Sequence, residues 1–404
     1  MSPLFKKAEE EIVAVFDIGN GSLGGALVKF SKRDHPVVLY SHREPLTFAP
    51  HASPKHLLDS MLKLLKSVAT HLAHDGLVKV KTSPFGGHRL QDAHCIFAAP
   101  WFVSQTKVIQ TESASSLLVT KETINELVKK EQEEFNASLK EGKYIQLFGP
   151  DARLLEKKVI HVKLNGYHVE DPIGKNAKEI ELTLFSSFIS QEILTSVEET
   201  IHQAFAVRDI HHYSYALVSW SASQKMFPDI HDYFFMDISG ETTDISLVIK
   251  DILVETVSFP MGRSTLIRKV VRDMKVASDI ALSFLTMRYA GTLDKAFAEK
   301  IGAVLKPLEE DWRELCIVGF SNLQKKYSLP RATLVTADTD TSGFFLSALS
   351  QNLPPELTMA QNSLSVMFIT ADKVQPFIYE LPEVGHDAFI SIESIFLNES
   401  FKNN

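Results

Sequence analysis

Two segments of this chain repeat one pattern: an apolar run, then Asp-Ile, a short polar stretch and Leu-Val. The first copy runs from Asp17 to Val28 and the second from Asp237 to Val248. Apolar residues precede both copies, so each one predicts a strand, a tight polar turn and a second strand. Two such hairpins that face each other could hold a polyphosphate from opposite sides. The repeat therefore predicts two similar halves with a polar cleft between them.

The residues of the first turn are suited to phosphate and metal binding. Gly19 and Gly21 allow the backbone to approach a ligand closely, and exposed amides in such a turn form an anion-binding concavity. Asn20 and Ser22 add side-chain donors. Asp17, at the end of the strand, could hold a hydrated Mg²⁺ through its water molecules.

The second turn offers a similar set of groups. Gly240 exposes its backbone, and Thr242 and Thr243 carry hydroxyls. Asp237 and Asp244 supply carboxylates for Mg²⁺ or for orienting a water molecule. Either turn alone is more often an ordinary Asp/Gly-rich hairpin, but the pair favours a site. The predicted catalytic carboxylates are Asp17 and Asp244, and the predicted water-mediated Mg²⁺ ligands are Asp17 and Asp237.

Composition narrows the class of protein. A chain of 404 residues with 45% apolar and 23% charged residues indicates a globular protein of two or more domains. Its net charge of -8 argues against nucleic-acid binding. Two cysteines make no disulfide framework, and no apolar run approaches the roughly 20 residues of a membrane span. We expect a cytoplasmic protein. The 15 histidines show no metal-binding spacing supported by Cys or carboxylates, so they are expected to be surface or packing residues.

The paired motifs resemble the two phosphate loops of the actin/Hsp70/sugar-kinase ATPase superfamily. The segment from Val159 to Gly174, followed by a strand over Glu179–Phe188, is similar to the SHS2-type subdomain of bacterial FtsA cell-division proteins, with PilM proteins as relatives. The resemblance implies an α/β, actin-like (ribonuclease H-like) two-lobed ATPase fold with an inserted α+β SHS2-type subdomain. Implied boundaries are 1–90 and 189–232 for the first lobe, 91–188 for the insert, 233–264 and 331–404 for the second lobe, and 265–330 for a mostly helical subdomain.

The resemblance also implies a cofactor, ATP with Mg²⁺ between the lobes. The phosphate-binding positions it assigns are Gly19, Asn20, Gly21, Ser22, Asp237, Gly240, Thr242 and Thr243. The nucleoside positions are less well preserved. Asp279 stands for an acidic residue of the family and Gly343 for a glycine of its adenosine loop, but Ala337 and Asp338 replace a Gly-Gly pair. We therefore expect nucleotide binding with slow or absent hydrolysis, or a degenerate pocket.

The same resemblance implies self-association into filaments and recruitment of a tubulin-like division protein through its acidic tail. Arg268, Arg272 and Lys275 share one helical face and are the candidate docking surface, although a solvated face is the simpler interpretation. The final helix, over Ala388–Phe401, lacks the basic face of a membrane-surface helix. It is expected to pack in the second lobe, so that a partner brings the protein to the inner face of the cell membrane.

Three functions follow from these features. The first is a nucleotide-binding cytoskeletal adaptor in bacterial cell division. The second is a PilM-like protein of type IV pilus assembly that binds a peptide of an inner-membrane partner in a groove of the insert. The third is a pseudo-ATPase scaffold that works without nucleotide. A sugar or acetate kinase is disfavoured because a catalytic carboxylate base and substrate loops are not found in the sequence.

Overall fold

The computed structural model describes residues 10–46, 54–82, 90–139, 151–357 and 363–403. Its strands are β1 Glu10–Ile18, β2 Ser22–Ser31, β3 Val37–Pro45, β4 Leu90–Phe97, β5 Phe102–Leu118, β6 Ala152–Leu164, β7 Tyr167–His168, β8 Asn176–Ser190, β9 Ile210–Ser214, β10 Tyr233–Ile238, β11 Thr243–Ile249, β12 Ile252–Phe259, β13 Ala332–Ala337, β14 Ser365–Phe368 and β15 Tyr379–Glu380.

The α-helices are α1 Pro54–His71, α2 Leu77–Thr82, α3 Lys121–Leu139, α4 Gln191–Ala204, α5 Tyr215–Met226, α6 Arg263–Met274, α7 Ser278–Tyr289, α8 Lys295–Gln324, α9 Ser342–Leu349, α10 Ala371–Val374 and α11 Ala388–Asn403. A π-helix, Leu72–Gly76, joins α1 to α2. Among these helices, none combines the length and the hydrophobicity that a membrane crossing requires.

Two sheets of matching topology form the two lobes. The first has the strand order β15-β3-β2-β1-β4-β9, and the second has the order β12-β11-β10-β13-β14. In each, an antiparallel meander is extended by parallel strands, β4 and β9 in the first and β13 and β14 in the second. The central strands β1 and β10 are buried almost throughout, as expected where both faces of a sheet are covered. The two halves predicted from the repeated motif are therefore present.

Helix α5 lies between the lobes. Nine of its twelve residues are buried, and the other three form a narrow polar stripe on one side: Ser221, Gln224 and Lys225. The ring of Tyr215 meets Phe235 of the second sheet edge-on and also packs against Phe389 of α11. The lobes thus share part of one hydrophobic core.

A smaller sheet is inserted between β4 and α4. Its order is β5-β8-β6-β7, all pairs are antiparallel, and α3 packs on it. Its own core is small and consists of Val119, Val128, Val162, Leu164, Ala177, Ile180, Leu182 and Leu184. The predicted insert began at residue 91, and this boundary is wrong, because β4 pairs in parallel with β1 and belongs to the first lobe. The inserted sheet begins with β5.

The last part of the chain also differs from the prediction. Helix α11 was expected in the second lobe, but it packs on β1 and β2, and Ile390 and Ile392 are buried in the core of the first lobe. Strand β15 pairs with β3, at the edge of the first sheet. The predicted boundary of 331–404 for the second lobe is therefore wrong at its C-terminal end.

The helices between residues 263 and 324 pack on the second sheet. Trp312 of α8 is fully buried there, and its indole NH donates to Oγ1 of Thr243 at 3.1 Å. Phe320 of the same helix stacks against Phe234 of β10, with ring centroids 4.7 Å apart. These helices and the sheet form one core, so the predicted helical subdomain is continuous with the second lobe.

Candidate functional site

The two repeated turns meet in the cleft between the lobes. One small cavity is lined by residues of both turns and of the elements around them: Asp17, Gly19, Asn20, Gly21, Ser22, Ala98, Tyr215, Asp237, Ile238, Ser239, Gly240, Asp338 and Phe389. Asp17 and Asp237 each sit one residue before the end of their strand. The structure thus brings the first predicted loop and the start of the second to one place.

The turns are in direct contact. A Cβ atom added to Gly240 would lie 2.4 Å from the Cα of Gly21, so both positions need glycine for this approach. Asn20, which is fully buried, connects the loops: its Oδ1 accepts from the backbone NH of Glu241 at 2.8 Å. Its Nδ2 donates to Oγ1 of Thr242 at 3.2 Å and to the carbonyl of Ala99. Asn20 therefore fastens the first loop to the second.

Asp17 is paired with an arginine from the neighbouring strand. Nη2 of Arg43 lies 2.7 Å from Oδ2 of Asp17, and its Nε lies 2.7 Å from Oδ2 of Asp387. Arg43 also donates from Nη1 to Oγ of Ser22 at 2.9 Å. Burial raises the pKa of Asp17 to about 6, while Arg43 opposes that rise. A guanidinium thus stands beside the carboxylate that was predicted to hold hydrated Mg²⁺.

Asp237 has different surroundings. Its Oδ1 accepts from Oγ1 of Thr336 at 2.8 Å, and no described lysine or arginine pairs with it. Burial, and after it the neighbouring Asp244, raises the pKa of Asp237 well above its ordinary value. Burial also raises the pKa of Asp244 to about 6. Asp237 therefore lies in surroundings that disfavour its charge, whereas Asp17 is paired with Arg43.

Two further ion pairs border the cleft. Arg263, at the start of α6, lies 2.5 Å from Asp340 and 3.3 Å from Asp338, measured between guanidinium nitrogens and carboxylate oxygens. Arg268 forms a two-point pair with Glu241, at 2.7 and 2.6 Å. The arginines around this site are thus already bound to carboxylates of the chain.

The site in this conformation does not accommodate ATP and Mg²⁺. The contact between Gly21 and Gly240 closes the space that a polyphosphate would need. The cavity beside it leaves room for about one or two water molecules. A hydrated Mg²⁺, which typically keeps several waters, is larger than that space. Nucleotide binding would require the two loops to separate.

Several predicted site residues lie outside this cavity. Thr243 is buried and donates to the carbonyl of Met261 at 2.7 Å, so its hydroxyl serves the core. Asp279 is exposed in the first turn of α7. Gly343 packs against Tyr289, because a Cβ atom added to Gly343 would lie 2.5 Å from Cγ of the Tyr289 ring. Thr242 contacts the first loop without lining the cavity, and Asp244 lies behind Asp237. Asp279 and Gly343 are not brought to the loops.

The predicted docking surface is largely paired within the chain. Arg268 is held by Glu241, and Nε of Arg272 lies 2.9 Å from Asp273. Lys275 is exposed and ends α6 in the left-handed conformation. An acidic tail would have to displace Glu241 to reach Arg268.

The sequence interpretation missed three charged residues of the site. Arg43 lies at the polar end of β3, where nothing in the sequence marks it as a partner of Asp17. Asp387 accepts from the NH groups of Phe389 and Ile390 and so caps α11, a role that its position just before that helix could have indicated. Glu393 is fully buried, and burial and the nearby Asp17 raise its pKa well above the ordinary value.

Comparison with known proteins shows the fold. No protein-family model and no curated protein matches the chain. A chain of the PilM-PilN type IV pilus biogenesis complex matches with a TM-score of 0.62 at 10% identity, covering 98% of this chain and 99% of that one. Two structures match with lower TM-scores. They are the ethanolamine utilization protein EutJ from Carboxydothermus hydrogenoformans (0.41, 11% identity, 98% and 91% covered) and a Bacteroides thetaiotaomicron protein with an actin-like ATPase fold and unknown function (0.42, 9% identity, 98% and 99% covered). The predicted two-lobed actin-like fold with an inserted subdomain is confirmed.

Proposed function

We propose that this chain is an actin-like adaptor of a type IV pilus assembly machinery, where it binds a peptide of a partner protein. The observation that carries the proposal is the match, over nearly the full length of both molecules, to a chain of the PilM-PilN complex. That match includes the insert, which the second lobe does not have. The closed cleft agrees with an adaptor whose shape does not depend on nucleotide.

The inserted sheet offers a place for the peptide. Strand β5 is one edge of that sheet and, among the strands that the structure describes, pairs with β8 alone. Its residues Val108, Leu117 and Leu118 are exposed, although they are apolar. An exposed edge strand with apolar side chains can accept an extended peptide as an additional strand. The partner peptide in this proposal is therefore extended and partly apolar.

Peptide binding can be measured by fluorescence anisotropy with labelled peptides from PilN-type proteins. We expect saturable binding that Val108→Glu weakens at least tenfold, because a charge at the edge disturbs an apolar contact. Val318→Glu is the matched control, since Val318 is 52% exposed and Val108 is 55% exposed, but Val318 lies on α8. Equal binding by both variants would contradict the edge site, and no binding of any such peptide would contradict the pilus role.

The cell-division role is the second candidate, and the chemistry of the two loops favours it. It requires ATP with Mg²⁺ in the cleft and an acidic tail of a tubulin-like protein on the surface of Arg268, Arg272 and Lys275. Thermal melting with millimolar ATP and Mg²⁺ tests the cofactor, because a ligand of the folded state raises the melting temperature. If the chain is the proposed adaptor, we expect its melting temperature to stay the same when ATP and Mg²⁺ are added. A shift that Asp244→Ala weakens, together with tail binding that Arg268→Glu abolishes, would establish the division role instead.

A further inference from the structure

A second group of ligand-type side chains lies on the outer side of the first lobe. His42 and Glu44 are two residues apart on β3, so they project from the same face of that strand, opposite to Arg43. His71, the last residue of α1, meets them there. Nε2 of His42 lies 3.0 Å from Oε1 of Glu44, and Nε2 of His71 lies 3.9 Å from the same oxygen. Two imidazole nitrogens thus point at one carboxylate oxygen.

The sequence positions these residues through close packing of α1 on the sheet. A Cβ atom on Gly25 would lie 2.6 Å from Cγ1 of Val68, so the glycine lets the end of α1 approach β2. Gly25 is paired with His42 in the register of β2 and β3. The π-helix begins directly after His71, and π-helical turns are frequent at functional sites. The end of α1 that packs closely on the sheet is therefore the end that carries His71, next to His42.

Neighbouring side chains orient the group. Nδ1 of His71 lies 3.1 Å from Oδ2 of Asp75, so this nitrogen donates to the carboxylate and Nε2 is left with its lone pair. Oγ of Ser67 donates to Oε1 of Glu44 at 2.7 Å. Ser67 and Asp75 thus hold an oxygen of the Glu44 carboxylate and the ring of His71 in place.

We propose that His42, Glu44 and His71 bind a divalent transition-metal ion of the Zn²⁺ class. Their ligand atoms all lie within 4.8 Å of one another, and no other His, Cys, Asp or Glu trio within the described ranges comes as close. Donors in a tetrahedral zinc site are about 3.3 Å apart, given bonds of about 2.0–2.1 Å. Nε2 of His42 is at 3.0 Å from Oε1 of Glu44 and Nε2 of His71 at 3.9 Å, so binding would draw the His71 ring closer. Two imidazoles and one carboxylate, with a remaining position for water, are a set that Zn²⁺ commonly takes.

The bound ion would connect α1 to β3. Two ligands come from the strand and one from the end of the helix, so binding would add to the Ser67–Glu44 hydrogen bond and to the contact between the His42 and His71 rings, whose centroids lie 4.1 Å apart. The aspartate behind His71 corresponds to the carboxylate–histidine–metal arrangement that orients ligands in zinc sites. The expectation that all histidines are surface or packing residues is therefore replaced, for His42 and His71, by a ligand role.

The test is calorimetric titration of the full chain with ZnCl₂, supported by the visible absorption of bound Co²⁺. We expect one ion at this site, with affinity at least tenfold weaker in His71→Asn, His42→Asn and Glu44→Gln. Asp75→Asn should weaken binding by about tenfold, since it removes only the orienting carboxylate.

Two variants serve as matched controls. His74→Asn removes an exposed histidine three residues from His71, and His161→Asn removes one ring of the stacked pair with His168 in the insert. Both should bind Zn²⁺ like the unaltered chain. Melting curves without metal establish that each variant folds, and Glu44→Gln remains available if a histidine variant does not. Affinity unchanged in His71→Asn and Glu44→Gln, or lost equally in His161→Asn, would overturn the proposal.

Discussion

Asp17 and Asp237 occupy equivalent positions in two hairpins of the same topology, but the strands beside them differ. In the first lobe Asp17 is opposite Gly24, and Gly24 is opposite Arg43. In the second lobe Asp237 is opposite Asp244, and Asp244 is opposite Ser258. A Cβ on Gly24 would lie 2.5 Å from Nη2 of Arg43, so the missing side chain gives the arginine its path to Asp17.

The repeated motif does not by itself determine the charge state of its aspartate. An arginine two strands away stabilises the ionised form of Asp17. Burial raises the pKa of both aspartates, and a second carboxylate one strand away adds to that rise in Asp237, since like charges disfavour ionisation. The same Asp-Ile sequence thus gives a carboxyl with a counter-charge in one lobe and a carboxyl beside a second carboxyl in the other.

Among the substitutions that test this difference, we expect Arg43→Met to cause the largest loss of stability. It leaves Asp17 and Asp387 buried without their counter-charge, and breaking a buried pair in this way costs about 3–5 kcal/mol. Urea unfolding followed by circular dichroism measures the loss. Arg272→Met, on an exposed arginine that pairs only with its neighbour Asp273, should change stability little. A loss no larger than that of Arg272→Met would show that the pair does not hold the lobe.

The pH dependence of the free energy of unfolding tests the raised pKa of Asp244 in the second hairpin. A pKa raised from 3.8 to about 6 in Asp244 means that the folded state holds a proton that the unfolded chain has released. Its stabilising effect is complete below about pH 4 and is lost as the pH rises through 6, a change of about 3 kcal/mol.

Asp244→Asn should reduce the slope of the stability profile between pH 4 and 6, while Asp17, whose pKa is also raised to about 6, keeps its own contribution. Asp273→Asn is the control, because hydrogen bonds from Lys269 and Arg272 lower the pKa of Asp273 and its effect falls below this window. Equal slopes of stability against pH in both variants would show that the proton taken up on folding is not bound by Asp244.

Replacement of each motif aspartate by asparagine compares the hairpins directly. Asp17→Asn removes the charged partner of Arg43 and should cost about 2 kcal/mol, as for hydrogen bonds to charged groups. Asp237→Asn should be nearly neutral, because burial and Asp244 already disfavour a charge at this position and an amide oxygen can also accept from Thr336. The two midpoints of urea unfolding at pH 7 give the comparison. Equal losses would contradict the difference in charge state.

A smaller loss of stability than that of Asp17→Asn is expected for Gly24→Ala. The added methyl group meets the tip of the Arg43 side chain, which can move, so the cost is about 1 kcal/mol, the low end for overpacking. Gly385→Ala is the control, since no other atom lies within 4 Å of its added Cβ. Unfolding midpoints again serve as the measure. No difference between the two variants would mean that Arg43 does not use this path.

The two hairpins were predictable because strand, turn and strand are encoded locally in the Asp-Ile to Leu-Val spacing, whereas the places of β4 and β15 in the first sheet were not. The place of α11 was not, since its apolar residues predict a buried face without saying which sheet covers it. Nor was the pair of Arg43 with Asp17, because it depends on the register of three strands. Glu393 was not identified as a residue of the site, yet it is fully buried and near enough to Asp17 for that carboxyl to raise its pKa. Long-range pairing, rather than local preference, decided each of these cases.

The return of the chain to the first lobe has a mechanical consequence. The backbone crosses from the first lobe after α5 and crosses back between β14 and α10, so the second lobe is attached at two points. A body held at two points can swing about the line that joins them but cannot twist freely. Such a swing would part Gly21 from Gly240 by breaking the side-chain bonds of Asn20, while every strand pair stays intact.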